Sequence, residues 1–394
     1  MTPQITGDEA LVRPLHILTQ RLAAAGAWFN EDLEIRAGAG DLAMRSQRRY
    51  TDRRSVLRVP LAEMPFKEDF HWTLEGDRLR AEPVGPDTDP LHREMMDLML
   101  EVYNQAGKMA QWRQVCPWTA LEDHPALLDR LLAAKAAAPK VQRFQEWRAG
   151  GRWQTLMVES FLGARIFRLT AEHLLYVGRE EGDGAAVLMP IIDYFNHRLQ
   201  AEGFQVQPAP APISMRVFSR PDPQTGELFV RYNLYDPLDT YLFYGFVDTE
   251  CPWLASVPLT LDTAGGRLEV LNTGGAFKGT LPQAMRDLRP FMPAVIRQEA
   301  DHLQLTKLIL PGERAPRALQ RVLAGLLTTL GVPRDGVPRE VARLEAEVLE
   351  RNEAYWEDLA GQARVLAQGH PLQTLCRHAR EHLAAYRRMH PSVP

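Results

Sequence analysis

The feature that most restricts this chain is a change of hydrophobic period that happens twice. An opening amphipathic stretch, residues 8–25, carries Leu11, Leu15, Leu18 and Leu22 at helical spacing. The chain then reads as strands and turns. "DLEIRAGAGDLAMRS" holds a Gly-Ala-Gly turn, "RRSVLRVPLAEM" a short strand stopped by Pro60, and "DFHWTLEGDRLRAEPV" a hairpin around Glu75-Gly76-Asp77. At about Asp89 the pattern changes, and from Leu91 to Leu169 it is helical. Met95, Met99 and Val102 form one stripe, "HPALLDRLLAAKAAAPKVQRFQEW" another. Alternation returns in "ISMRVFSRPDPQTGELFVRYN", a pair linked by a turn at 221–226, and in "VPLTLDTAGGRLEVL", a hairpin turning at Gly265-Gly266. After about Leu281 the pattern is helical to the end, clearest in the stripe Val341, Leu344, Val348, Tyr355, Leu359. A doubly wound nucleotide fold needs strands and helices to alternate along the chain. This order excludes it. It predicts an α+β fold with small strand-rich parts, a helical insertion and a helical C-terminal portion.

With 394 residues the chain has room for about two or three domains. A hydrophobic content of 45% with 24% charged residues is that of an ordinary globular protein. The net charge of −4 offers no general attraction to nucleic acid or to an anionic membrane. The first thirty residues lack the basic-then-apolar layout of a leader, and no apolar window has the length of a membrane span. The cytoplasm is the expected compartment. Cys116, Cys251 and Cys376 lie far apart with no CxxC pair, so neither a thiolate zinc site nor a disulfide framework is expected, and the three read as core fillers. His378 and His382, four apart, could face one metal. No third ligand accompanies them, so they read as a solvated basic helix face. "EAEVLERNEAYWEDL" reads as the exposed side of a helix.

Four stretches carry chemistry: "GAGDLA" (38–43), "GARIFRL" (163–169), "LMPIIDYFNH" (188–197) and "GELFVRYNLYDPLDTYLFYGFVDTE" (226–250). Each has a plain reading when taken alone. Gly-x-Gly makes a turn, Arg165 a surface ion pair, and Asp193 a cap on a backbone amide. Asn-His is a buried polar pair, and tyrosines in strands are packing residues. The run from Met189 is expected to be a core strand, and the residues alone leave open whether its polar end, Asn196-His197, lines a ligand site.

Taken in this order and at these separations, the stretches resemble the SET-domain methyltransferases, in particular the Rubisco large-subunit lysine methyltransferase branch. The resemblance covers about residues 25–275 at motif level and is one of general pattern over the C-terminal helices. It implies a SET β-fold of small curled sheets with knot-like threading over residues 1–284. That part would contain a helical insertion at about 91–160, and an all-α substrate-binding domain would follow at 285–394. It implies that Gly38, Ala39 and Gly40 cradle S-adenosylmethionine together with Asn196 and His197. Arg165 would lie beside cofactor and target channel, with Asp193 near the incoming amine. Tyr232 would be the active-site tyrosine, and Tyr244 the second aromatic of the channel. Asp41, Arg198 and Asn233 depart from the family pattern, which has an apolar, a small and a glycine or aspartate residue there. The implied activity is protein-lysine N-methylation of a cytoplasmic protein. The alternatives are protein-histidine N-methylation and a non-catalytic SET-like module that only binds a protein partner.

Overall fold

Asp8 opens the first helix, Glu9–Ala24, by accepting the Ala10 N–H at 3.0 Å, and the helix buries Leu11, Leu15, Leu18 and Leu22 on one face. In the computed structural model residues 2–38, 41–179, 185–207, 212–275 and 277–390 are described. They fall into two compact units: Met1–Cys116 with Arg152–Tyr235, and Pro117–Gly151 with Asp236–Pro394.

In the first unit the strand Leu33–Gly38 runs parallel to Gln4–Gly7 and antiparallel to Asp41–Ser46. Gly7, at φ +120°, is needed there, because a Cβ would sit 1.5 Å from the Ala37 carbonyl oxygen. A second sheet has the order Gln205–Gln207, Ser214–Ser219, Arg54–Pro60, Trp28–Phe29. The expected hairpin is Phe70–Glu75 with Arg78–Pro83, turning at Gly76 with φ +61°. Helices Pro90–Gln105, Lys108–Val115 and Trp153–Leu162 complete the unit's core with Met95, Met99, Trp112 and Phe161.

Three expectations change in this unit. Within the helical stretch to Leu169, Ile166–Arg168 is a strand, paired with Ala186–Leu188. The apolar run 189–195 is buried as expected but is not a strand. Pro190 has no N–H to give a ladder, Ile191 turns to φ +65°, and Ile192–Tyr194 form a 3₁₀ turn. Ser214–Ser219 and Phe229–Val230 belong to different sheets. They touch through a Pro221–Leu228 bridge and a 2.8 Å bond from Ser219 Oγ to the Phe229 carbonyl.

In the second unit, short helices Pro117–Ala120, Pro125–Ala133 and Pro139–Ala149 each start on a proline, whose missing N–H costs nothing in a first turn. They are tied to the long helix Val337–Gln362, with Tyr355 OH donating to the Arg130 carbonyl at 2.9 Å and Arg130 Nε 2.7 Å from Asp358. A four-stranded sheet has the order Leu259–Thr263, Gly266–Val270, His302–Leu305, Val295–Gln298. A Cβ on Gly266 would lie 2.1 Å from the Asp301 carbonyl oxygen, so this turn is closely packed. Helices Ala318–Thr329, Val337–Gln362 and Pro371–Met389 follow.

The expectation of helix from Leu281 onward is corrected here. Gln283–Phe291 form a 3₁₀ helix, but Val295–Gln298, His302–Leu305 and Ile309–Pro311 are strands, because Pro290 and Pro293 keep that helix from continuing and Leu303 and Leu305 alternate into the core. A cut at 284/285 would part Gly266–Val270 from its parallel neighbour His302–Leu305. His378 and His382 are half-buried rather than solvated, and His382 Nε2 bonds the Leu310 carbonyl at 3.0 Å. Glu345, expected on an exposed face, is buried where it accepts from Tyr386 OH at 2.5 Å and Gln320 Nε2 at 2.9 Å. All three cysteines are buried and none is in a disulfide, and burial pushes the Cys376 thiol up to about 12. No helix among the described residues is long and apolar enough to cross a membrane. None of their His, Cys, Asp and Glu side chains cluster in a way that could hold a metal ion.

Candidate active site

Asn196 and His197 form a two-residue strand that runs parallel to Phe229–Val230. The pair is fixed from both sides. Asn196 Nδ2 donates to Glu227 Oε1 at 2.7 Å, and His197 Nδ1 accepts the Tyr232 N–H at 3.1 Å. That second bond sets the tautomer, since an accepting Nδ1 leaves the proton of a neutral ring on Nε2. Tyr232 closes a loop back onto the same segment. Its hydroxyl donates to the Phe195 carbonyl at 2.8 Å, and its ring centroid lies 5.2 Å from that of His197. Burial pushes its phenol well above its ordinary range, so it stays a neutral O–H donor at physiological pH.

The glycine hairpin reaches this segment through backbone bonds. Gly38 pairs with Asp41 across the hairpin end. Along Asp41–Ser46, the Met44 carbonyl accepts the Leu228 N–H at 2.8 Å and the Ser46 N–H donates to the Gly226 carbonyl at 2.9 Å. One peptide strand thus joins the hairpin to the residues paired with Asn196-His197. An added Cβ at Gly38 would meet nothing within 4 Å, so the hairpin end borders open space. Ala39 and Gly40 lie outside the described residues.

Arg165 sits in the turn after helix Trp153–Leu162. Its guanidinium lies 3.8 Å above the Phe161 ring centroid and 5.9 Å from that of Tyr103, and Nη1 donates to the Phe161 carbonyl at 3.1 Å. Asp193, in the 3₁₀ turn, accepts the Tyr103 hydroxyl on Oδ2 at 2.5 Å. Its other oxygen, Oδ1, is inaccessible to solvent and meets no donor among the described residues, and the same holds for the Tyr194 hydroxyl. Burial raises the Asp193 carboxyl to about 6, opposed by the Tyr103 hydrogen bond and by the charges of Arg165 and Lys108.

Lys108 was not legible as a site residue in the sequence. It begins the helix Lys108–Val115 after Gly107, which sits at φ +61°. One turn on, Trp112 Nε1 donates to Ser160 Oγ at 3.0 Å and its ring lies 6.5 Å from Phe161, the ring that carries Arg165. Residues four apart share a helix face, so Lys108 is turned toward the same corner. Burial and the Arg165 charge lower its ammonium to about 8, against the pull of Asp41 and Asp193. It makes no hydrogen bond or ion pair among the described residues. The signal that could have found it is a lysine on the apolar face of a short helix, in register with a buried tryptophan.

Gly38, Arg165, Asp193, Asn196, His197 and Tyr232 therefore all belong to the first unit. Tyr244 belongs to the second unit, where it ends the helix Pro237–Tyr244 ahead of Gly245 at φ +76°, with its ring 6.2 Å from Phe246. The departure Arg198 also has a local role. It pairs with Asp222 at 2.8 Å and lies 3.9 Å over the Phe229 ring, bracing the strand that faces His197.

No family model matches the chain, and no curated protein matches it. Among the solved structures that resemble it are two forms of one SET domain. The SET domain of LSMT bound to MeLysine and AdoHcy matches with a TM-score of 0.39 at 11% identity, over 98% of this chain and 91% of that one. The SET domain of LSMT bound to lysine and AdoHcy matches with a TM-score of 0.37 at 9% identity, over 96% of this chain and 90% of that one.

Proposed function

We propose that this chain is a SET-domain methyltransferase that uses S-adenosylmethionine to methylate a lysine side chain of a protein. The observation that carries the reading is the closed loop Phe195–His197–Tyr232. The dyad and the tyrosine, 35 positions apart in sequence, are fixed to one another by bonds at both the Tyr232 amide and its hydroxyl. The order of the four sequence motifs supports the same reading.

The residues present fit a cationic sulfonium cofactor. Gly38 borders open space, and Asp193 Oδ1 is a buried acceptor with no donor among the described residues. Gly38, Asn196, His197 and Arg165 would hold the cofactor, and Ala39 and Gly40 are proposed with them. When bound, it supplies an electrophilic methyl group. What remains is for the chain to present a neutral amine in line with that methyl. A lysine with a pKa near 10.4 is only about a tenth of a percent neutral at physiological pH. A site walled by Tyr103, Phe161 and Tyr232 disfavours the ammonium and lowers that value. Asp193, with a carboxyl at about 6, is ionised at neutral pH and can accept a hydrogen bond from the entering ammonium on Oδ1. The neutral Tyr232 hydroxyl orients the amine. Tyr244 would wall the channel, and the C-terminal portion, 285–394, would grip the protein substrate. The cytoplasm is the proposed setting.

The test is incubation with methyl-labelled S-adenosylmethionine and an extract lacking this protein, followed by mass spectrometry of modified proteins. Label on a lysine nitrogen is the expected result. No transfer, together with no thermal shift at millimolar cofactor, would leave only a binding module.

A further inference from the structure

In the proposed chemistry Tyr103 is only a wall of the site, yet it is the side chain most firmly attached to Asp193. It comes from the helix Pro90–Gln105, is 1% exposed, and is fixed on several sides. Its ring stands edge-on to Phe161, with centroids 5.7 Å apart and planes at 87°. The next residue, Asn104, clamps the end of the helix to the hairpin Phe70–Pro83. Its Oδ1 accepts the Leu79 N–H at 2.8 Å, and its Nδ2 donates to the Leu79 carbonyl at 3.0 Å. From this anchored position the Tyr103 hydroxyl donates to Asp193 Oδ2 at 2.5 Å.

A tyrosine buried this deeply needs a partner for its hydroxyl wherever it packs. What sets this pair apart is the state of the carboxylate. Asp193 lies in the short 3₁₀ turn Ile192–Tyr194, and the last torsion of an aspartate has no sharp preference of its own. Oδ1 meets no donor among the described residues, so Oδ2 is the oxygen that is held, and Tyr103 is the side chain that holds it. Other polar groups face the same carboxyl. Arg165 and Lys108 favour its charged form, while Tyr194 and Tyr232 are phenols kept neutral by burial. Burial opposes ionisation of Asp193, and the Tyr103 bond is the largest effect that works for it. We infer that Tyr103 is a positioning residue for methyl transfer: it holds Asp193 by Oδ2, so that Oδ1 is the oxygen left to the entering amine. The inference rests on the methyltransferase reading and adds to it the side chain that aims its carboxylate.

The test is Tyr103→Phe, which keeps the ring and its contact with Phe161 and removes the donor. The full chain is labelled with ¹³C at the aspartate carboxyls, and Asp193→Asn identifies the resonance. The Asp193 midpoint should move up from about 6 by about one pH unit or more, because a hydrogen bond to a charged group is lost. Methyl transfer from labelled S-adenosylmethionine to the proteins of an extract lacking this chain should follow. Between pH 8 and pH 6 the variant should lose about fivefold more rate than the parent. Titration of Lys108 near 8 and of the substrate amine is common to both chains and cancels in the comparison. A tyrosine that merely packs would lower Tm and leave both midpoints in place, which would overturn the inference. Should Tyr103→Phe fail to fold, Asp193→Asn is compared with Tyr103→Phe/Asp193→Asn, in which no buried carboxylate is left without its bond. A residue that acts through Asp193 should cost less than about twofold in rate in that background. A larger loss would give Tyr103 a part of its own and overturn the inference. No transfer by the parent at any pH would instead overturn the methyltransferase reading, and this inference with it.

Discussion

Two clusters of charged side chains, one in each unit, differ in how completely they are paired. In the second unit Lys135, 3% exposed, donates to Asp239 Oδ1 at 2.8 Å and Asn272 Oδ1 at 2.9 Å. Asn272 Nδ2 donates to the Ala134 carbonyl, and Asp236 accepts the Asp239 and Ala255 N–H groups. Burial and the neighbouring Asp239 raise the Asp236 carboxyl above its ordinary value. In the first unit Asp193 Oδ1 and the Tyr194 hydroxyl have no partner among the described residues. A buried polar group is held at a cost unless its bonds are made. The paired cluster is built to hold the chain together. The other leaves Asp193 Oδ1 open to a further donor, the role it has in the proposed function.

Breaking the paired cluster should have the largest effect. Lys135→Met leaves Asp239 buried without its cation and should cost about 3–5 kcal/mol. Calorimetry should then show Tm falling by on the order of 10 °C, and Asp239→Asn in the same background should recover part of it. A loss under about 1 kcal/mol would mean that the ion pair does not hold this unit together.

Next in size is Tyr232→Phe, which removes one positioned hydroxyl and little volume. Single-turnover rates should fall about a hundredfold, with melting nearly unchanged. Near-equal rates would make Tyr232 a packing residue.

Asp193→Asn sharpens the contrast, because it should lower turnover while raising stability. The folded carboxyl titrates at about 6, above its ordinary value of 3.8. It therefore contributes stability that is complete below pH 3.8 and is lost as pH rises through 6. The variant lacks this loss, so above about pH 6 it should melt on the order of a few degrees higher than the parent. A lower Tm across the whole range would assign Asp193 to structure.

Lys108→Met is expected to act on stability alone. The folded ammonium titrates near 8 rather than 10.5. Wild-type stability should therefore rise between pH 8 and 10.5, and the variant's advantage should shrink over that window. A constant difference between the two melting curves would show that Lys108 is not desolvated.

Much of the local architecture could be read from local pattern. The helix Glu9–Ala24 follows from its cap and its four leucines. The Phe70–Pro83 hairpin follows from Gly76, and the Leu259–Val270 hairpin from Gly265-Gly266, since caps, turns and periods act within a few residues. The polar ends Asn196-His197 and Tyr232 were legible as motifs. What lay beyond the sequence was every outcome set by a distant partner. The helical stretch after Asp89 is divided between two units, residues 117–151 joining the second because Lys135 finds Asp239 and Tyr355 finds Arg130. The expected core strand at 189–195 became a turn, and Val295–Gln298 became strand, where prolines removed the alternatives and neighbouring chain supplied the bonds. Tyr103 joined these residues through its edge contact with Phe161 and its bond to Asp193, and Lys108 through the charges of Arg165 and Asp193. The sequence by itself determined which segments could be helix, hairpin or motif, because those preferences are local. The tertiary structure decided which charges are paired and which are left waiting, because that depends on contacts between residues tens to hundreds of positions apart.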